Sequence, residues 1–62
     1  MKINKEKLIL AMADAGKGVR DLESISNGTY YRMIDGEEVY TKTVHRLAKE
    51  LGIKVADLVE VV

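Results

Sequence analysis

The chain contains no cysteine and no proline. Without cysteine there is no disulfide staple, no thiolate zinc site and no cysteine nucleophile, which fits a reducing cytoplasm. The lone His45 cannot build a metal site without carboxylate partners. It reads as a partly exposed helix residue rather than a ligand or catalytic base. No apolar run approaches the roughly 20 residues of a membrane span. Residues 1–7 are polar and charged, unlike a signal peptide. Neither sign of charge dominates, because ten Lys and Arg balance ten Asp and Glu. A binder driven by bulk charge is therefore not indicated, although a neutral total can hide a basic face. The first 20 residues hold Lys2, Lys5, Lys7, Lys17 and Arg20 against Glu6 and Asp14.

Length restricts the chain further. Its 62 residues suit one domain, residues 1–62. A domain of this size buries only about 60% of the surface that its unfolded chain exposes, leaving little room for a core and a deep pocket together. No Gly-rich phosphate loop precedes a lysine, no metal-ligand spacing occurs, and no Ser/His/Asp set is evident. The expectation is a non-enzymatic protein with no cofactor, no metal and no small-molecule substrate. A 47% hydrophobic content is that of an ordinary folded domain.

With proline absent, Gly16, Gly18, Gly28, Gly36 and Gly52 punctuate the chain. Residues 4–15 have the pattern of a helix. Asn4 is placed to cap it, Glu6 lies in the first turn where the helix dipole favours an acid, and Gly16 is placed to stop it. Leu8, Met12 and Ala15 recur at helical spacing, with Ala11 and Ile9 widening the stripe. Val19, Leu22 and Ile25 fall three apart and predict a short second helix. Ser26 can cap a third, in which Tyr30, Met33 and Ile34 form the core side and Asp35-Gly36 the end. The stretch from Thr41 or Lys42 to Leu51 gives the clearest helix: Val44, Leu47, Ala48 and Leu51 keep one face apolar, and Gly52 follows. Arg46 and Glu50, four apart, can pair on its exposed side. Val55, Leu58 and Val59 suggest a last short helix. The apolar residues Val59, Val61 and Val62 either fold back on the core or meet a partner.

Residues 29–34 and 37–42 admit a rival arrangement. Asn27-Gly28 and Asp35-Gly36 are hairpin-turn dipeptides, and Tyr30, Tyr31, Val39, Tyr40, Thr41 and Thr43 suit strands. Such a hairpin leaves both faces mixed, whereas a half-buried strand alternates cleanly. An all-α bundle of about five short helices is the better fit.

The run Ile25-Ser26-Asn27-Gly28-Thr29-Tyr30-Tyr31-Arg32-Met33-Ile34-Asp35-Gly36 resembles the recognition-helix signature of the Cro/cI-type (XRE) helix-turn-helix family. Lys42-Thr43-Val44 with Leu47-Ala48-Lys49-Glu50-Leu51-Gly52-Ile53 is similar to the family's fourth helix, and Val55-Ala56-Asp57-Leu58-Val59 to its fifth. The resemblance covers roughly residues 4–60. Three departures stand out. Only Glu23 and Ser24 separate Leu22 from Ile25, about three residues fewer than usual. Gly18-Val19 replaces a Ser-Gln pair that commonly touches phosphate. Tyr30 stands where a smaller aliphatic residue usually packs.

The resemblance implies a lambda-repressor-like fold and a sequence-specific transcriptional repressor that binds double-stranded DNA, in a family whose members commonly act as a homodimer on two-fold-related half-sites. The helix from Asn27 would enter the major groove. There Ser26, Asn27, Gly28, Thr29, Tyr31 and Arg32 would face DNA: Asn27 with the amide for adenine, Gly28 leaving room, Thr29 or Tyr31 meeting a thymine methyl or phosphate, and Arg32 reaching guanine or backbone. Tyr40, Lys42 and Thr43 would hold phosphate. Plainer roles stand beside these. Asn27-Gly28 also suits a simple turn, Arg32 also suits solvent or a pair with Asp35, Tyr30 and Met33 suit the core, and Glu37-Glu38 suits a solvated loop. A protein-interaction module on the same scaffold, antirepressor- or antitoxin-like, is the alternative. It fits the neutral charge, the acidic loop and the shortened second helix.

Overall fold

A computed structural model describes residues 1–60 of the chain. Three α-helices carry the architecture: α1 (Lys5–Ala15), α2 (Asn27–Ile34) and α3 (Thr41–Leu51). Two single 3₁₀ turns, Val19–Asp21 and Val55–Asp57, stand between α1 and α2 and after α3. The hairpin arrangement is not formed, since residues 29–34 lie within α2. Among the described residues no helix is long and apolar enough to cross a membrane.

Local chemistry accounts for the helix ends. Asn4 Oδ1 accepts the Lys7 N–H at 3.1 Å and opens α1. Ser26 Oγ accepts the Thr29 N–H at 3.2 Å and opens α2. All three helices close in the same way. Gly16, Gly36 and Gly52 take left-handed φ angles of 67°, 80° and 71°. The residue after each glycine then donates back five positions: Lys17 to Met12, Glu37 to Arg32 and Ile53 to Ala48, each at 3.0 Å. The glycine N–H groups donate as well, to Ala13, Met33 and Lys49, and the two bonds at each end satisfy carbonyls that a helix end would otherwise leave unpaired.

Where the second and fifth helices were expected, the chain makes only one tight turn each. After Val19–Asp21, Leu22 is extended (φ −78°, ψ 124°), because Ser26 already caps α2 and too few residues remain for a second helical turn. Each 3₁₀ turn is clasped by an aspartate at its third position. Asp21 Oδ2 accepts the Gly18 N–H at 2.9 Å, and Asp57 Oδ2 accepts the Lys54 N–H at 3.4 Å.

The first residues form a short ribbon that the periodicity did not suggest. Lys2 bridges Glu38 and Ile3 bridges Val59, both antiparallel. The Val39 N–H donates to the Met1 carbonyl at 2.8 Å, and the Asn4 N–H to the Leu58 carbonyl at 2.8 Å. The ribbon thus ties the α2–α3 connection to the segment after α3.

The core gathers Ile3, Leu8, Ala11, Met12, Leu22, Ile25, Met33, Val44, Leu47, Ala48, Leu51, Leu58 and Val59. The α3 stripe is buried as expected. The α1 stripe is narrower than expected: Ala15 is exposed and Ile9 is 47% exposed. Helix α1 packs on α3 and the second 3₁₀ turn, so only one line of its side chains is covered. Val59 folds back on the core, while Val61 and Val62 lie outside the described residues.

Candidate nucleic-acid interface

The α2 helix divides its residues by face. Met33 is fully buried and Tyr30 and Ile34 are half-buried on the core side. Asn27, Gly28, Tyr31 and Arg32 are exposed, and positions i, i+1, i+4 and i+5 share one side of a helix. Ser26 is exposed at the helix start. Thr29 is half-buried, with its hydroxyl 3.1 Å from Ser26 Oγ. Tyr31 meets Tyr30 edge-to-face, ring centroids 5.3 Å apart, and is itself 57% exposed.

The leading end of α3 lies beside this face. Tyr40 is the N-cap residue, but its side chain makes no capping bond and is 85% exposed. The first N–H groups of α3 therefore receive no side-chain cap from Tyr40, and the helix dipole makes that end favourable for an anion. Thr29 and Arg32 from α2 line a hollow of about 130 Å³ with Tyr40 and Thr43 from the start of α3. Glu38 and Val39 complete its wall. Four of the nine residues assigned from the sequence thus meet at one place. Ser26, Asn27, Gly28 and Tyr31 extend from it along α2, and Lys42 is exposed on the first turn of α3 without lining the hollow.

The basic side chains have separate fates. Lys7 Nζ donates to the Ala56 and Val59 carbonyls, both at 3.3 Å. Lys17 Nζ pairs with Glu50 Oε2 at 3.0 Å, the one ion pair among the described residues. The expected Arg46–Glu50 pair does not form, and neither does a pair between Arg32 and Asp35. Arg32 and Lys42 are exposed and carry no ion pair among the described residues. Glu38, expected in a solvated loop, is exposed but shares the hollow with Arg32.

Glu50 was expected on the outer face of α3 and instead reaches across to the chain after the first 3₁₀ turn. Its Oε1 accepts the Ser24 N–H at 2.8 Å, and its Oε2 accepts the Glu23 N–H at 3.0 Å. Its carboxyl is held at about 2, below an ordinary value of 4.5. The Ser24 hydroxyl exerts the largest influence, followed by the Glu23 N–H; the Ser24 N–H and Lys17 add to it, against the opposing effect of burial. That hydroxyl is buried and makes no hydrogen bond of standard geometry, so the two backbone donors are the firm contacts. Sequence spacing alone offered no signal for this contact, because a glutamate four residues from an arginine looks like a solvated helix pair.

Compared with known protein families, curated proteins and solved structures, the chain finds no significant match in any of the three.

Proposed function

We propose that this chain is a sequence-specific DNA-binding regulator of the Cro/cI-type helix-turn-helix kind, acting as a repressor by occupying duplex DNA. The carrying observation is the open face of α2 with Arg32, which carries no ion pair among the described residues, set against the start of α3, where Tyr40 gives no side-chain cap, across one shared hollow. In this reading Asn27, Gly28, Tyr31 and Arg32 meet base edges in the major groove. Ser26, Thr29, Tyr40, Lys42 and Thr43 hold the flanking phosphates. The architecture is a reduced lambda-repressor-like domain, in which the 3₁₀ turns Val19–Asp21 and Val55–Asp57 stand for the second and fifth helices. The site of action is the cytoplasm. If two copies act together on a two-fold site, Val59 is not their contact, because it is used in the protein's own core.

A salt titration of binding to a mixed-sequence duplex tests the reading. Neutralising several phosphates releases counterions, so affinity falls by orders of magnitude between about 50 and 200 mM salt. Absence of any salt-sensitive binding overturns it in favour of the protein-interaction module. That second reading draws on the internal engagement of Lys7 and Lys17 and on Glu38 beside Arg32, which weaken the positive field of the surface.

A further inference from the structure

We propose that Glu50 is a positioning residue for the DNA-reading helix: from α3, its carboxylate holds the shortened segment before α2 and so sets where the leading end of α2 points. The inference rests on the DNA-binding reading and extends it to a residue outside the proposed contact surface.

In a full second helix, the N–H groups after its first turn would donate to carbonyls of that helix. Here the helix ends after one 3₁₀ turn and Leu22 is extended, so the Glu23 and Ser24 N–H groups have no helical acceptor. Glu50 provides the acceptor. Both carboxylate oxygens accept from the Glu23 N–H, at 3.2 Å and 3.0 Å, and Oε1 also accepts from Ser24 at 2.8 Å. Bonds to an ionised acceptor are about twice as strong as neutral ones, so this is a firm anchor in a segment with no regular structure. Lys17 fixes the carboxylate from the side of α1.

The anchor matters to α2 because that helix has few other backbone neighbours. Its close approach is to the Val19–Asp21 turn, whereas α1, α3 and the second 3₁₀ turn pack on one another. Ile25 and Met33 are buried in the core, whereas Ser26, Asn27 and Gly28 at the leading end of α2 are exposed. Ser26, which caps that turn, follows Ser24 by two residues, so a shift at Ser24 moves Ser26, Asn27 and Gly28 with it.

The test compares the parent with Glu50→Gln, Glu50→Ala and Val55→Ala. Val55 is half-buried on the second 3₁₀ turn, which packs on α1 and α3, and provides a control for lost stability. The readouts are sequence enrichment from a duplex library randomised at its centre, and amide exchange and chemical shifts of the free protein. Glu50→Ala is expected to lower discrimination between enriched and mixed-sequence duplexes by about tenfold, comparable to one lost base contact. Glu50→Gln, which keeps one acceptor oxygen, is expected to fall between Ala and the parent. Val55→Ala is expected to keep full discrimination once folded. In Glu50→Ala the Glu23 and Ser24 amides should exchange faster and the Ser26–Thr29 resonances should move. Parental discrimination in Glu50→Ala, or an equal loss in Val55→Ala, overturns the proposal. If the parent enriches no sequence, the DNA-binding reading fails by itself, and the free-protein measurements decide the anchor: unmoved Ser26–Thr29 resonances in Glu50→Ala refute it.

Discussion

Lys17 Nζ lies 3.0 Å from Glu50 Oε2, joining the chain just after α1 to the last turn of α3, with the glutamate side chain only 11% exposed. The same carboxylate takes the N–H groups of Glu23 and Ser24, and its pKa falls from 4.5 to about 2. A carboxyl depressed on folding stabilises the native state while it is ionised. Its contribution is complete above about pH 4.5 and is lost as pH falls through about 2. With allowance for solvent screening it amounts to about 1–3 kcal/mol at neutral pH. Urea unfolding at pH 7 and pH 3 should show the parent losing more stability on acidification than Glu50→Gln. Parallel losses in the two proteins would count against the anchor.

Gly28 permits a test that separates stability from binding. Its φ is not in the left-handed region, and an added Cβ would meet only Ser26 Oγ, at 3.9 Å. Nothing inside the fold therefore requires glycine there. Gly28→Ala should stabilise α2 by about 0.5–1 kcal/mol, the usual difference between the two residues inside a helix. If the α2 surface lies against bases, the same methyl group should weaken duplex binding. Thermal melting and a duplex titration on one variant give both answers, and unchanged binding would remove Gly28 from the contact surface.

How much of this was legible in the sequence depends on the kind of signal each feature leaves. Helix α3 repeats its apolar residues every three or four positions over about two turns, and this spacing marks Val44, Leu47, Ala48 and Leu51, all of them buried. Asn4, Ser26 and the closing glycines act within a few residues of their partners and were equally readable. The second and fifth helices were over-extended because Leu22 and Ile25, or Leu58 and Val59, are buried by tertiary packing whether or not they are helical. The Ile3–Val59 pairing is too short for an alternating pattern and joins distant segments, so it left no trace. Around the proposed interface, the exposure of Asn27, Tyr31 and Arg32 follows from helix period, but the approach of Tyr40 and Thr43 is set by a turn with no periodic pattern.

Asn27 and Lys42 should fail in different ways. Both are exposed, one on the first turn of α2 and one on the first turn of α3. A base contact carries sequence information and a phosphate contact does not. Asn27→Ala should therefore relax preference at one base position and weaken binding there by about 1–3 kcal/mol. Lys42→Ala should weaken binding evenly across sequences and reduce the salt dependence by about one phosphate's worth. Competition with single-base-substituted duplexes separates the two patterns. Identical behaviour of both variants and the parent would refute the residue assignment.

Ile3 is the least conspicuous member of the core and gives the most demanding prediction for the fold. It is 3% exposed, and its backbone bridges Val59, while its neighbour Lys2 bridges Glu38 just before the entry to α3. Replacing a buried isoleucine with alanine removes its transfer energy and leaves a cavity, at a loss of about 2–5 kcal/mol. A domain this small commonly has only about 3–5 kcal/mol in total, so Ile3→Ala should be largely unfolded at moderate temperature. Ile3→Val removes one methylene, should lose about 0.5–1.5 kcal/mol and stay folded. Because the Val39 N–H is held by the Met1 carbonyl, its exchange should quicken in Ile3→Val before that of the α3 amides. If Ile3→Ala melts like the parent, the opening residues do not seal the core, and the path that leads into α3 must be held from elsewhere.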